Sequence, residues 1–218
     1  MTGIEQEASR LEAVVWRLLE QGTMPEAVRA CTALNQQYPQ YAAGWNSASH
    51  LAYKARNLRM AIAAIDRALE LRPGIVDWVL HKARCHGQQG EFGRVSELIE
   101  PLREQPLKSG WQCATLGLLL SRMEQQEAAL QQYLRAVELE PEDGQPDYKL
   151  GSVQSFLGRF DEAEAALSRA LALDPRDYDA YKVRSDLRTW SAQRNHVEHQ
   201  RALIEAGVDS PRGEVQLC

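Results

Sequence analysis

Histidines are the residues of this 218-residue chain that first suggest chemistry, because imidazole binds metals and exchanges protons near neutral pH. His196 and His199 lie three residues apart, with Glu198 between them. A zinc-protease helix instead carries the pattern H-E-x-x-H, which places both imidazoles on one face. We therefore expect a partly exposed, polar helix face at these residues, and a weak surface metal site is the alternative.

The remaining candidates for metal or thiol chemistry are three histidines in the first half of the chain and four scattered cysteines. No carboxylate or thiol cluster joins the histidines, and no two cysteines form a C-x-x-C pair, so we predict no metal site. The first three cysteines lie among apolar residues, which favours buried free thiols in a reducing, cytoplasmic compartment. These residues are His50, His81, His86, Cys31, Cys85, Cys113 and Cys218.

Catalytic and nucleotide-binding motifs are missing from the sequence. It contains no GxxxxGK[ST] or GxGxxG phosphate loop and no GxSxG nucleophile elbow. We therefore expect no cofactor, and we expect that this chain is not an enzyme. The net charge of −5 and the pI of about 5.6 argue against nucleic acid as a partner. No apolar run approaches the roughly 20 residues of a membrane span.

A heptad repeats along the chain and indicates how it is organised. The sequence reads RALELRP at 67–73, RAVELEP at 135–141 and RALALDP at 169–175. The last two copies are 34 residues apart, and the first two are twice that distance apart. A fixed period of this size is typical of helical repeat arrays.

Each period contains two amphipathic helical patterns, and a proline ends the second because proline cannot continue a helix. Gly117 and Gly151 fall inside first helices, where glycine costs up to about 1 kcal/mol relative to alanine. We therefore expect the paired helix to approach closely at both glycines. Pro101 falls inside the second helix of the third period, which we expect to be shortened or kinked.

The best-preserved period carries the pattern of a known family. The fourth period resembles the tetratricopeptide repeat, in which small and large residues alternate at fixed positions before a terminal proline. These positions hold Cys113, Leu116, Gly117, Leu120, Ala129, Tyr133, Ala136 and Pro141. The resemblance implies an all-α fold, an α-solenoid of tandem helix-turn-helix pairs in a right-handed superhelix of about 12 helices. The single array over 1–218 would divide into units at about 8–41, 42–75, 76–109, 110–143, 144–177 and 178–211, with a truncated further helix starting at 212–218.

In this family the first helices line a concave groove, which implies a protein-interaction scaffold that binds a peptide or partner segment. The residues that the resemblance places in the groove include aromatic, hydrogen-bonding and charged side chains. Most of the charged ones are cationic, so the partner is expected to have some acidic character. An ordinary solvated face is the alternative. Glu12 and Trp16 replace the first residues of the carboxylate clamp that holds chaperone tails, so we do not expect that partner. The groove candidates are Asn46, His50, Tyr53, His81, Arg84, Trp111, Arg122, Tyr148, Lys149, Ser152 and Lys182.

The end of the chain suggests a longer protein. Ser210, Pro211 and Glu214 have the pattern of a helix start, yet only a few residues follow. The segment from about 181 to 203 resembles the one that follows the repeats in bacterial sulfotransferase-family proteins. This implies an alternative function, in which the array serves an enzyme whose catalytic domain lies beyond Cys218. Exposed Val215 and Leu217 would instead favour weak self-association through the C-terminal face.

Overall fold

The structure is a computed structural model that describes residues 3–187, 201, 204–205, 207–208 and 213. All regular structure in these residues is helical, which confirms the predicted all-α class. The described residues form eleven α-helices and one short 3₁₀-helix, at Glu100–Leu102. The helices are α1 (Gly3–Glu20), α2 (Met24–Gln37), α3 (Ala42–Lys54), α4 (Leu58–Leu71), α5 (Val76–Gln88), α6 (Phe92–Ile99), α7 (Gly110–Arg122), α8 (Gln126–Leu139), α9 (Gly144–Phe156), α10 (Phe160–Leu173) and α11 (Tyr178–Asp186).

The helices repeat in length as well as in order. First helices α3, α5, α7 and α9 each have 13 residues, and second helices α2, α4, α8 and α10 each have 14. The turn between the two helices of a pair contains one left-handed residue, and this residue recurs every 34 positions. It is Gly22, Arg56, Gly90, Glu124 and Gly158 in the five successive pairs.

The third pair departs from this regularity, as predicted. Its second helix, α6, has only 8 residues and passes into the 3₁₀ turn that contains Pro101. Proline has no backbone N–H and its ring clashes with the preceding turn, so the α-helical ladder ends there. The prediction that Pro101 shortens this helix is confirmed.

The chain divides into two compact units, which we call the N-terminal unit (residues 1–106) and the C-terminal unit (residues 107–218). In the N-terminal unit, residues of α1, α2 and α3 form a buried cluster that includes Val15, Cys31 and Leu51. In the C-terminal unit, residues of α10 and α11 form another, which includes Leu167 and Tyr181. The single array over 1–218 stays a prediction.

Glycines bring the paired helices of the C-terminal unit into close contact, as the sequence predicts. A Cβ added to Gly117 would lie 3.0 Å from the ring of Tyr133 on α8. A Cβ added to Gly151 would lie 2.6 Å from Cγ of Leu167 on α10 and 3.2 Å from the carbonyl oxygen of Ala163. The cost of each helical glycine is therefore offset by tight packing against a large side chain.

Three of the four cysteines are buried free thiols, as predicted: Cys31, Cys85 and Cys113. Burial raises the pKa of Cys31 and of Cys85 to about 11, so both are neutral at physiological pH. In the part of the chain that the structure describes, no helix is long and apolar enough to cross a membrane.

Candidate functional site

The N-terminal unit places its five groove candidates on two first helices. Asn46, His50 and Tyr53 follow one another at four- and three-residue intervals on α3, so they share one face of that helix. His81 and Arg84 lie three residues apart on α5. The structure brings four of the five into one cluster, which we call the imidazole ladder and which also includes Trp16 of α1.

The imidazole ladder is a series of ring contacts. The rings of His50 and His81 stack with centroids 3.8 Å apart and planes at 14°. Trp16 meets His50 edge-on at 5.4 Å, and Tyr53 meets His81 edge-on at 5.6 Å. The guanidinium of Arg84 lies 5.2 Å from the centre of the Tyr53 ring, a cation–π geometry.

Hydrogen bonding fixes which nitrogen of His81 carries the proton. The hydroxyl of Ser49 lies 2.8 Å from the Ala61 carbonyl oxygen and 2.9 Å from Nε2 of His81. Because a hydroxyl has one proton and a carbonyl can only accept, Ser49 donates to Ala61, and Nε2–H of His81 donates to Ser49. Nδ1 of His81 is then an acceptor, and it is buried without a hydrogen-bond partner in the described structure.

Both stacked imidazoles are neutral at physiological pH. Burial, followed by the positive charges of Arg84 and Lys54, lowers the pKa of His50 to about 4. Burial, His50 and Arg84 lower the pKa of His81 to about 3, although the Ser49 hydrogen bond opposes the shift. His81 is buried, so the ladder presents the half-buried rings of Trp16, His50 and Tyr53 together with the cation of Arg84.

The carboxylate of Glu12, which the sequence placed at a clamp position but not among the groove candidates, lies at the α1 end of this face. Glu12 accepts hydrogen bonds from the hydroxyl of Tyr41 at 2.6 Å, the indole N–H of Trp16 at 3.3 Å and the hydroxyl of Ser47 at 3.3 Å. Trp16 was also missed as a groove residue. The repeat would have revealed it, because Trp16, His50 and Arg84 are spaced 34 residues apart.

The C-terminal unit carries the other six candidates on three helices, and the structure does not gather all of them. Trp111 and Arg122 lie near opposite ends of α7, and both are exposed. On α9, the ammonium of Lys149 lies 4.6 Å from the centre of the Tyr148 ring, and the Ser152 hydroxyl donates to the Tyr148 carbonyl oxygen at 2.9 Å. On α11, Lys182 forms an ion pair with Asp186 at 3.1 Å.

Lys149 is a groove candidate of the C-terminal unit that is partly removed from solvent. Desolvation lowers its pKa, and Arg122 lowers it further, while Asp177 and Asp179 oppose the shift. A partly desolvated cation interacts more strongly with an added anion than a fully hydrated one does. Lys149 meets this condition, whereas Arg122 is exposed.

The described residues contain no cluster of three or more histidine, cysteine or acidic side chains that could hold a metal ion. Three of the predictions concern residues outside those that the structure describes. These are the metal site at His196 and His199, self-association through Val215 and Leu217, and most of the segment that resembles sulfotransferase-family proteins. These hypotheses and the cytoplasmic location stay predictions.

Two family models with the description "Tetratricopeptide repeat" match the chain, one over residues 47–94 and 148–188 and the other over residues 113–143. Together they cover more than half of it. These matches agree with the resemblance read from the repeat positions.

Several solved structures are similar in fold. YrrB, described as a TPR protein with an unusual peptide-binding site, is 22% identical over 73% of this chain and 82% of its own, with a TM-score of 0.59. A chain of the APC/C hetero-tetramer Cut9–Hcn1 has a TM-score of 0.79 at 18% identity, over 96% of this chain but 42% of its own. PilF of Pseudomonas aeruginosa has a TM-score of 0.75 at 10% identity, over 85% of each chain. At these identities the likeness shows the fold alone.

Proposed function

We propose that this chain, which belongs to the tetratricopeptide repeat proteins, is a protein-interaction scaffold whose first-helix faces bind an extended partner segment of acidic character. The imidazole ladder is the observation that carries this proposal. It joins three first helices through ring contacts and ends in Arg84. Arg84 forms no ion pair with any residue that the structure describes, so its charge is available to an acidic group.

The ladder suits a partner backbone as well as an acidic side chain. Aromatic rings provide contact area at little conformational cost, which is why they recur at the energetic centres of interfaces. The Tyr53 hydroxyl, held by the side-chain amide of Gln88 at 3.1 Å, has a proton to donate to a peptide carbonyl. Arg84 beside Tyr53 would then bind a carboxylate with paired N–H groups.

The C-terminal unit supports the same preference by a different route. Lys149 lies against the Tyr148 ring and is partly desolvated. Arg122 is exposed, and its positive charge acts on Lys149. Asp177 and Asp179 partly balance Lys149, so an acidic partner residue would compete with them. We therefore expect the N-terminal unit to contribute more of the affinity.

Related structures are consistent with a binding role without specifying a partner. YrrB is described as having a peptide-binding site, and Cut9 is described in a hetero-tetramer with Hcn1. Both descriptions concern those proteins. These descriptions are a reason to screen peptides as ligands of this chain before small molecules.

The test is a peptide-array screen of the purified chain, followed by fluorescence anisotropy on the best acidic peptides. The triple variant Arg84→Ala, Arg122→Ala, Lys149→Ala is expected to bind them at least about 10-fold more weakly, since each lost charged contact contributes about 1 kcal/mol or more. The matched control replaces three second-helix arginines by alanine: Arg29 and Arg94, which are exposed, and Arg67, which is partly exposed.

Equal loss in the control triple would mean that general charge attraction explains binding, and the first-helix proposal would be wrong. A screen in which no acidic peptide binds, with both variants folded by circular dichroism, would also contradict it. Increased ionic strength should weaken the wild-type interaction, because most of the cations involved are partly exposed.

A further inference from the structure

A large apolar pocket lies between α2, α3 and α4 of the N-terminal unit, on a different face from the imidazole ladder. Its volume is about 560 Å³. Its α3 residues Trp45, Ala48 and Ala52 are offset from His50 and Tyr53 by roughly 120° around the helix, at about 100° per residue. The lining residues are Val28, Cys31, Thr32, Asn35, Gln36, Trp45, Ala48, Leu51, Ala52, Ala55, Asn57, Met60, Ala63 and Ala64.

The repeat pattern explains why this space is empty. Ala48 and Ala52 occupy the positions that hold Leu116 and Leu120 in the fourth period, 68 residues later. Both leucines are almost completely buried. Replacing two leucines by alanines removes six side-chain carbons from the packing between helices, and the space opens onto α2 and α4. The pocket is therefore a specific departure of the second period from its own repeat.

The pocket wall is apolar, and two arginines are adjacent in sequence to its lining residues. None of the lining side chains is acidic or basic, and Met60 at the rim is 62% exposed. Asn57 caps α4 by accepting a hydrogen bond from the Met60 backbone N–H at 3.2 Å. Two exposed arginines precede lining residues in the sequence: Arg56 precedes Asn57, and Arg59 precedes Met60. Neither forms an ion pair with a described residue.

The first turn of α4 adds to this positive field. It contains no acidic residue, as in α6, whereas the first turns of α2, α8 and α10 contain Glu26, Glu127 and the pair Asp161 and Glu162. No side chain in the first turn of α4 therefore neutralises the partial positive charge at the N-terminus of that helix.

We propose that this pocket binds an anionic amphiphile with an aliphatic tail, of the medium-chain carboxylate class. The tail lies along Ala48 and Ala52, and the carboxylate lies at the mouth between Arg56, Arg59 and the N-terminus of α4. This site is separate from the proposed partner face, so it would add a small-molecule ligand to a scaffold that binds a protein segment elsewhere.

The volume favours such a ligand over one inserted side chain. Ligand pockets typically measure about 300–1,000 Å³, and an apolar cavity of only about 150 Å³ already holds a benzene ring. A pocket of about 560 Å³ would remain mostly empty around a single ring. A flexible chain of roughly ten carbons fills it better, since each buried CH₂ contributes about 0.8 kcal/mol.

Dodecanoate is the probe, and its binding to the full chain is measured by isothermal titration calorimetry together with the change in tryptophan fluorescence, since Trp45 lines the pocket. The variant Ala48→Leu, Ala52→Leu, which restores the leucines of the fourth period, is expected to lose at least about 10-fold in affinity. The surface variant Arg56→Gln, Arg59→Gln is expected to lose about 5-fold for dodecanoate. It should leave the binding of neutral N-phenyl-1-naphthylamine unchanged.

Two control variants match these changes outside the pocket. Ala165→Leu adds an exposed leucine on α10, and Arg67→Gln removes a partly exposed arginine that pairs with Glu70 on α4. Both should bind dodecanoate like the wild type. Equal binding by the filled and wild-type chains would overturn the proposal, as would no dodecanoate binding by a folded wild type. Binding of an acetylated Leu-Asp-Leu peptide without dodecanoate binding would assign the pocket to a partner segment and also overturn it.

Discussion

The two units use one position of the same repeat in opposite ways. In the N-terminal unit the eighth position of the first helix holds Ser49, whose hydroxyl links the Ala61 carbonyl oxygen to His81. In the C-terminal unit the same position holds Gly117 and Gly151, and Tyr133 and Leu167 of the paired helices fill the space. At this position the α3–α4 pair is joined by a hydrogen bond, whereas the α7–α8 and α9–α10 pairs are packed around a large side chain.

This difference gives the two units different weaknesses. Burial of the His50 and His81 rings ties the stability of the N-terminal unit to pH, because the unfolded chain binds protons more readily than the buried rings do. Close packing over glycine leaves the C-terminal unit insensitive to pH at that contact but intolerant of an added carbon. The same repeat therefore supports a titratable first-helix face in one unit and a rigid helix pair in the other.

The largest expected effect is on the steric contact of the C-terminal unit. Gly151→Val should lower the free energy of unfolding by about 3 kcal/mol, because its Cβ would start 2.6 Å from Cγ of Leu167 and 3.2 Å from a backbone oxygen. Chemical denaturation followed by circular dichroism measures this loss. The matched control is Gly93→Val on α6, where an added Cβ meets no atom within 4 Å. Equal destabilisation by both variants would show that helix propensity, and not packing, explains the glycine.

A smaller effect is expected in the imidazole ladder of the N-terminal unit. The pKa values of His50 and His81, about 4 and about 3, lie below the ordinary value of 6.5. The unfolded chain therefore binds more protons than the folded chain as the pH falls below 6.5, so stability decreases with falling pH. Between pH 7 and pH 5.5 the two groups together should cost about 2.5 kcal/mol of unfolding free energy.

The double variant His50→Gln, His81→Gln tests this prediction through the slope of stability against pH. Its unfolding free energy should fall by about 2.5 kcal/mol less than that of the wild type over this range, whatever its stability at pH 7. If the double variant is too unstable to measure, the single variant His50→Gln should remove about half of the difference. Parallel pH profiles for wild type and variants would mean that the imidazoles are protonated in the folded state.

The sequence predicted the helix pairs well because their determinants are local and periodic. The heptads ending at Pro73, Pro141 and Pro175 set the period, and Gly117 and Gly151 marked the close contacts. Pro101 predicted the short α6. Each of these signals acts within one helix or between the two helices of one pair, so the pattern along the chain is enough to read it.

The site was predicted less completely because its contacts join first helices from different pairs. The sequence placed His50 and His81 in one groove, but their stacking depends on side-chain rotamers that the repeat does not specify. Glu12 was considered only as a departure from the carboxylate clamp, although it accepts three side-chain hydrogen bonds. The pocket over Ala48 and Ala52 was also missed. In the sequence, alanine at those positions indicates that helices pack closely there. The structure instead shows a space beside both alanines.

The smallest expected effect concerns the turns that both units share. Glu124 has a φ of 61° in the turn between α7 and α8, where the next pair has Gly158 with a φ of 74°. A left-handed conformation costs a residue with a Cβ about 1–2 kcal/mol, and the greater chain entropy of glycine offsets part of that. Glu124→Gly should therefore stabilise the chain by about 0.5–1 kcal/mol, seen as a rise of about 2 °C in Tm. The reciprocal change Gly158→Glu should lower Tm by a similar amount, since its added Cβ meets no neighbouring atom and only the backbone conformation is at issue. If both changes lower Tm, the Glu124 side chain itself must stabilise its turn, and the five left-handed positions are not equivalent.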